Sequence, residues 1–252
     1  MKSILQLVFV SLLILITSCK SLNIVPKTNK YVGLRWGTLG IVESNTIKFY
    51  EIEKNNWKPI TLPDFKIPKN KGLIFVGLGK IGVINHDKIT FYSPSDDGNW
   101  GKDTYPNFTI PAKSQITSVG LGTIGVRNNK EIKFYSVRDN EWILNKNITN
   151  FKISTDGYLV PLMLDPLGIA SIGIIANNKL NLYHYNTETK NWELSDLDFS
   201  VTVNSEIVSI GFGTIGIGKN NNLKFYPLEA YVNGRLIRKN ITKIPDFNIQ
   251  NN

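Results

Sequence analysis

The chain has 252 residues, of which 42% are apolar and 19% are charged, a composition typical of folded proteins and not of disordered ones. Its single cysteine excludes an intramolecular disulfide, and with only two histidines the chain cannot form a metal site from clustered Cys or His. The formal net charge is +9, but the lysines are scattered among asparagines, whereas nucleic-acid binding requires clustered Lys and Arg, so we predict no nucleic-acid partner.

The first predicted element is an export signal. Lys2 precedes an apolar run from residue 4 to residue 16. A helix of that length spans about 20 Å, less than the roughly 30 Å of a bilayer core. A positive charge, a short apolar segment and the small residues that follow are typical of a cleaved secretory signal peptide. We therefore predict that residues 1–18 are removed.

The end of this signal is more specific. Residues 16–19 read Ile-Thr-Ser-Cys, which resembles the lipobox of bacterial lipoproteins. The resemblance implies that the thiol of Cys19 carries diacylglycerol and that the new N-terminus is acylated, for example with palmitate. Several acyl chains give lasting membrane attachment. The alternative is an ordinary signal peptide followed by an unrelated cysteine.

Residues 19–29 are predicted to be a tether between the lipid and the folded domain. The tether contains lysines and no acid, so electrostatic attraction to a lipid surface would help the anchoring. The Val25-Pro26 pair resembles the ends of later repeats and lies at the same offset from the next repeat. The segment Asn23–Pro26 is therefore either a strand that closes the ring or only tether.

From residue 30 onwards the sequence repeats. Each of five units contains a glycine turn, an Asn-rich turn and an Asx-Phe pair such as Asp64-Phe65. Four units also carry an aromatic pair such as Phe49-Tyr50, and the fourth has Leu182-Tyr183 at that place. The last glycines of the glycine turns are 42, 43, 48 and 43 residues apart: Gly40, Gly82, Gly125, Gly173 and Gly216. Short strands separated by turns every 8–12 residues are typical of all-β proteins.

Four-stranded repeats of this length resemble the blades of β-propellers. We therefore predict an all-β fold, a five-bladed β-propeller over residues 30–252. Its blades are predicted at approximately 30–71, 72–114, 115–157, 158–204 and 205–252. Glycines on the first strand of each blade are expected to fit a crowded axis, where another backbone comes close. Arg35 breaks that pattern, so we expect it at the mouth of the central tunnel as a candidate ligand-binding residue.

The tryptophans are the strongest candidates for a ligand-binding surface. They recur near the last strand of the first four repeats: Trp57, Trp100, Trp142 and Trp192. Aromatic rings stack on sugars, and repeated Trp at blade turns resembles the way multi-bladed lectins display several sites. The alternative is that each Trp packs between blades as part of the core.

The sequence motifs give little support for an enzyme active site. Three G-x-G-x-x-G matches coincide with the repeat and precede strands, where dinucleotide binding needs a helix, so we predict no cofactor. A glycosidase needs two carboxylates, and near the inner strands these would be Asp165 and Glu206. His86 and His184 are expected in surface or packing roles. The turn containing Asp96 and Asp97 lacks the ligand spacing of a calcium loop. We predict no catalytic and no metal site.

Together these features predict a non-enzymatic lipoprotein of the bacterial cell envelope, held in the outer membrane through Cys19. Lys20 follows the cysteine, where surface lipoproteins of some bacteria carry acids, and this favours the periplasmic side. The combination of a lipid anchor and a propeller resembles the propeller lipoprotein of the outer-membrane barrel-assembly machinery, which has more blades. The prediction is therefore a scaffold that binds an envelope protein; a carbohydrate-binding propeller and a glycosidase-like propeller are the alternatives.

Overall fold

Antiparallel strands of two to eight residues make up the regular structure of the chain in a computed structural model. The structure describes residues 30–35, 37–120, 122–153, 157–162, 171–195, 199–202, 205–211, 214–219, 221–227, 231–232, 235–236 and 244–249. Within these ranges no helix is long and apolar enough to span a bilayer.

The strands group into five sheets that follow one another along the chain. The first contains β1 (Tyr31–Arg35), β2 (Thr38–Glu43), β3 (Thr46–Glu53), β4 (Asn56–Pro59) and β5 (Phe65–Lys66). The second contains β6 (Gly72–Gly77), β7 (Lys80–Asn85), β8 (Lys88–Pro94), β9 (Trp100–Lys102) and β10 (Phe108–Thr109). The third contains β11 (Gln115–Gly120), β12 (Thr123–Asn128), β13 (Glu131–Arg138), β14 (Glu141–Leu144) and β15 (Phe151–Lys152).

The fourth sheet contains β16 (Tyr158–Pro161), β17 (Ser171–Ala176), β18 (Lys179–Asn186), β19 (Asn191–Leu194) and β20 (Phe199–Ser200). The fifth contains β21 (Glu206–Gly211), β22 (Thr214–Lys219), β23 (Asn222–Pro227) and β26 (Phe247–Asn248). A separate hairpin contains β24 (Tyr231–Val232) and β25 (Arg235–Leu236).

Each sheet is one propeller blade whose outermost strand, in the first four blades, is split in two. In the first blade β4 pairs with the second half of β3, where Tyr50 faces Pro59. The short β5 pairs with the first half of the same strand, where Ile47 faces Phe65. The Trp and the Asx-Phe pair of each repeat thus belong to two pieces of one interrupted strand.

In the part of the chain that the structure describes, bonds from three glycine turns to the preceding blade help to close the blades into a ring. Gly79 N–H donates to the carbonyl of Leu34 at 3.2 Å, and Gly122 N–H donates to that of Val76 at 2.8 Å. The N–H of Gly37 donates in the same way to Ile210, at 2.7 Å, and thereby joins the first blade to the fifth. The five-bladed propeller predicted from the repeats is confirmed. The segment Asn23–Pro26 lies outside the described residues.

The core lies between blades, not within them. Phe91 of the second blade and Ile124 of the third share one buried cluster, and Phe225 of the fifth and Leu39 of the first share another. Both faces of each sheet are therefore covered, which explains why apolar side chains occupy adjacent positions on a strand.

The recurring glycines are required for reasons that differ from the expected crowding by backbone. Gly40 lies on the second strand, and a Cβ there would come within 2.6 Å of Val32 and 2.9 Å of Ile47. Side chains of the two flanking strands therefore fill the space. Gly79, in the inner turn, has φ +76° with open space around it, so backbone conformation requires that glycine.

Candidate functional site

Each tryptophan of the predicted binding series lies in a seam between two blades. The indole N–H donates to a backbone carbonyl of the preceding blade at 2.7–2.8 Å. The donor and acceptor pairs are Trp57 to Pro245, Trp100 to Pro63, Trp142 to Pro106, and Trp192 to Thr149. Each acceptor stands two residues before the Phe of the Asx-Phe pair, so the two halves of the repeat signature meet across these four seams.

The indole rings also pack on two phenylalanines of the neighbouring blade. The ring of Trp142 lies 5.4 Å from that of Phe91 and 5.3 Å from that of Phe108, the second contact edge-to-face. Such contacts stabilise aromatic pairs by about 0.5–1.5 kcal/mol beyond the buried area. Packing between blades thus accounts for the recurrence of Trp, and sugar binding by these half-buried rings stays a prediction.

Arg35 lies at the end of β1, beside the inner turn of the first blade. Its side chain is exposed, and its Nε donates to Thr38 Oγ1 at 3.3 Å. We call the end of the ring that carries the turns between first and second strands the inner-turn face. Arg35 belongs to this face, and its role in ligand binding stays a prediction, as does lipidation of Cys19, which lies outside the described residues.

The inner-turn face carries a feature that the sequence reading missed. Leu78 and Gly79 form the two-residue turn between β6 and β7, and both have positive φ, 55° and 76°. Leu78 is 54% exposed. Among the described residues the other non-glycine positions with positive φ are polar, mostly Asn, Asp or Lys. A left-handed conformation costs such a residue about 1–2 kcal/mol, and strained residues cluster at functional sites.

The other repeats carry an apolar residue at the same place in the sequence. Between the positions that match Gly77 and Gly79, the four other units have Trp36, Leu121, Ile169 and Phe212. These four lie outside the described residues. The alignment of the repeats contains this signal, because a two-residue hairpin turn ordinarily favours Asn or Gly at that position.

A cluster of polar side chains elsewhere in the propeller has the composition of a hydrolase's catalytic triad. In the fourth blade His184 Nδ1 lies 3.2 Å from Ser195 Oγ, and His184 Nε2 lies 3.5 Å from a carboxylate oxygen of Glu193. In a hydrolase triad, a base held in place by an acid activates the serine hydroxyl as a nucleophile. Ser195 is, however, only 7% exposed, which leaves its hydroxyl little access to a substrate.

The same place in other blades holds other polar groups. In the third blade Thr123 Oγ1 lies 2.9 Å from Ser136 Oγ, which also accepts from Asn145 Nδ2 at 3.1 Å. In the second blade Lys80 forms an ion pair with the buried Asp103. We therefore interpret these groups as polar rows that cross the second, third and fourth strands and satisfy one another.

Burial and hydrogen bonding shift the pKa of the Asp103 carboxyl in opposite directions. Burial by itself raises the pKa of the Asp103 carboxyl, but hydrogen bonds from Lys80, Ser93 and the backbone N–H of Tyr105 outweigh it and hold the pKa below its ordinary value. The Lys80 ammonium also lies 4.4 Å from the centre of the Tyr105 ring, a cation–π contact.

Of the two carboxylates predicted for a glycosidase site, Glu206 lies within the described residues. Glu206 accepts the backbone N–H groups of Lys30 at 2.6 Å and Tyr31 at 3.2 Å, so it helps to join the first and fifth blades. Burial, and then the charge of Glu206, raise the pKa of Tyr31 to about 12. Asp165 lies outside the described residues.

The remaining candidates lie in exposed turns. His86 occupies the turn between β7 and β8. Asp97 accepts from the backbone N–H of Asn99 at 3.1 Å and from the hydroxyl of Ser95 within its own turn. In the parts of the chain that the structure describes, no three metal-binding side chains come together.

No protein-family model matches the sequence. No curated protein matches it either. Among solved structures the chain is similar to a protein from Lactobacillus plantarum, with TM-score 0.39, 15% identity, and coverage of 88% of this chain and 72% of that one. It is also similar to a functionally unknown protein from Desulfotomaculum acetoxidans, with TM-score 0.42, 11% identity, and coverage of 84% and 72%.

A third similar structure is a suggested 6-phosphogluconolactonase from Bacteroides uniformis, with TM-score 0.36, 17% identity, and coverage of 66% of this chain and 52% of that one. At these identities and TM-scores the similarities carry no inference about ligand or activity. The propeller assignment follows from the strands and seams described above.

Proposed function

We propose that this chain is a lipid-anchored scaffold of the bacterial cell envelope that binds a protein partner on its inner-turn face. Leu78 carries this proposal. It is a large apolar side chain held exposed at a turn where Asn or Gly would be less strained. An exposed apolar residue that costs folding stability is explained if it serves binding.

The repeat extends this feature around the ring. The Gly37, Gly79 and Gly122 bonds hold the described inner turns of three blades against their neighbours, so these turns lie together at one end of the first strands. Because all five units carry an apolar residue at the matching position of the sequence, we expect a partner to contact more than one of them. Clustered, desolvated apolar groups are what protein interfaces use as binding hot spots.

The anchor belongs to the same proposal. Acylation of Cys19 would place the propeller on the outer membrane, with the periplasmic side favoured by the Lys20 that follows. Attachment restricts the search for a partner to the envelope, so a modest apolar contact suffices for a long-lived complex.

The test is site-specific photo-crosslinking in cells. A photoreactive amino acid is placed at Leu78 or at Leu194, which is equally exposed at 54% but lies on an outer strand. We expect a discrete adduct with one envelope protein from position 78 and none from position 194. Replacing Cys19 with Ala should abolish both palmitate incorporation and the adduct.

A matched pair of variants separates binding from folding. Leu78→Asn relieves the left-handed strain, so we expect it to raise the free energy of unfolding by about 1 kcal/mol. With the photoreactive residue moved to Arg35, which is exposed on the same face, Leu78→Asn should also remove the adduct. Leu194→Asn should change neither the free energy of unfolding nor the amount of adduct beyond experimental error. Equal crosslinking from both positions, or an undiminished adduct with Leu78→Asn, would contradict binding at this face. Unchanged palmitate incorporation with Cys19→Ala would contradict the anchor alone.

A further inference from the structure

The two ends of the propeller differ in charge. The end opposite the inner-turn face carries the turns between second and third strands and the connections from one blade to the next, and we call it the basic face. Among the described residues it holds eleven Lys and Arg against four acids, a net of seven positive charges. Its exposed lysines include Lys69, Lys88, Lys113, Lys130 and Lys152.

The inner-turn face does not share this excess. Together with the hairpins between third and fourth strands of the first four blades, which lie at the same end, its described residues hold seven Lys and Arg against nine acids. Seven minus nine leaves two negative charges, so the ends differ by nine charges over the described residues. Among the residues counted, the positive charge is therefore concentrated on one end.

Three of the four acids on the basic face are engaged locally. Glu206 accepts the backbone N–H groups of Lys30 and Tyr31. Glu43 pairs with Lys48 at 2.8 Å. Glu131 accepts from the side-chain amide of Asn150 at 3.2 Å. The exposed lysines thus face solvent with little opposing charge, in short turns whose positions the strands fix.

The chain also enters the propeller at the basic face. Lys30 immediately precedes β1, and its N–H bond to Glu206 places it beside the start of β21. Cys19 is eleven residues upstream, a length that spans at most about 40 Å when extended and about 20 Å on average when flexible. A lipid at Cys19 therefore holds this end of the propeller closest to the membrane.

We propose that the basic face rests on an anionic phospholipid surface, with its lysines against the headgroup phosphates. This inference relies on the proposed lipid anchor, which keeps the face within reach. Lysine ammonium groups near an anionic leaflet are attracted electrostatically, and the attraction decays over a Debye length of about 10 Å at 0.1 M salt. Docking in this orientation turns the inner-turn face away from the bilayer and leaves it free for a partner.

Vesicle co-sedimentation of the non-acylated mature chain, residues 19–252 with Cys19→Ser, tests this. The vesicles contain either phosphatidylcholine alone or phosphatidylcholine with one quarter phosphatidylglycerol. One variant neutralises the basic face, and a control variant removes the same number of charges from the opposite end. The basic-face substitutions are Lys69→Gln, Lys88→Gln, Lys113→Gln and Lys130→Gln. The control substitutions are Lys54→Gln, Lys58→Gln, Lys102→Gln and Lys190→Gln, all at exposed lysines.

We expect binding to the anionic vesicles only, a loss of at least tenfold in the basic-face variant, and a change of less than twofold in the control. Equal losses in both variants would show an effect of net charge and overturn the proposal. Retention on heparin without preference for anionic vesicles would assign the face to another polyanion and overturn it too. The chain in this experiment carries no acyl group. Absence of vesicle binding would therefore contradict the docking of the basic face, whereas absence of palmitate incorporation at Cys19 would contradict the lipid anchor.

Discussion

Within the residues that the structure describes, the seam that closes the ring differs from the others in having no chain connection across it. Successive blades are joined covalently, whereas the described parts of the first and fifth blades meet through side chains and hydrogen bonds. The closing seam repeats the bonds of the others, with Gly37 donating to Ile210 and Trp57 to Pro245. It adds a carboxylate, Glu206, which accepts two backbone N–H groups of the first blade. A charged acceptor thus reinforces the contact between the described parts of the first and fifth blades.

Truncation of the closing tryptophan gives the largest expected effect. Trp57→Ala removes the indole bond and the ring contacts with Phe225 and Phe247, so we expect a loss of about 3–5 kcal/mol in the free energy of unfolding, measured in urea. Trp100→Ala should cost a similar amount at an internal seam. Trp57→Ala alone should also speed hydrogen exchange of β1 and β21, because no described segment of the chain links the two blades across this seam. Equal exchange in both variants would remove the distinction between the seams.

A smaller effect is expected from crowding the same seam. In Gly218→Ala the new Cβ would come within 2.8 Å of the Tyr31 ring across the closing seam, so we expect a loss of about 2 kcal/mol. Gly101→Ala is the control, because nothing lies within 4 Å of its Cβ position. Thermal unfolding of both variants measures the difference. A Gly218→Ala protein as stable as Gly101→Ala would show that Tyr31 can move without loosening the ring.

The smallest effect is expected inside one blade, away from ring closure. Because the folded-state pKa of Asp103 lies below its unfolded value, the stability that Asp103 contributes is present above the unfolded pKa, about 3.9. It is lost as pH falls through the folded pKa. Asp103→Asn should cost about 1–2 kcal/mol at pH 7 and leave β1 and β21 exchange unchanged.

Unfolding of this variant in urea at pH 7 and at pH 2.5 measures the linkage. The difference between Asp103→Asn and the unchanged protein should shrink at the lower pH, because Asp103 is then increasingly protonated in both states. A difference that is the same at both pH values would contradict the ion pair with Lys80.

Several local features could be foreseen from the repeat and others could not. The recurrence of Trp and of the Asx-Phe pair predicts that both matter, but it leaves open whether Trp142 is core or surface. The answer depends on Pro106 and Phe91, which belong to the preceding blade. The cluster of His184, Ser195 and Glu193 was equally hidden, because strand register brings these residues together.

The sequence by itself determined the number of blades, because a repeat that cannot bury its faces alone must stack on its copies. It also determined the order of strands, through turn residues and the alternation of apolar runs. The tertiary structure alone decided which partners meet across seams, that glycine on the second strand is required by neighbouring side chains, and that Leu78 is held exposed. The partners across seams are residues some forty positions apart, whose geometry exists only once neighbouring blades pack. The crowding of Gly40 and the exposure of Leu78 depend on how the strands of one blade pair.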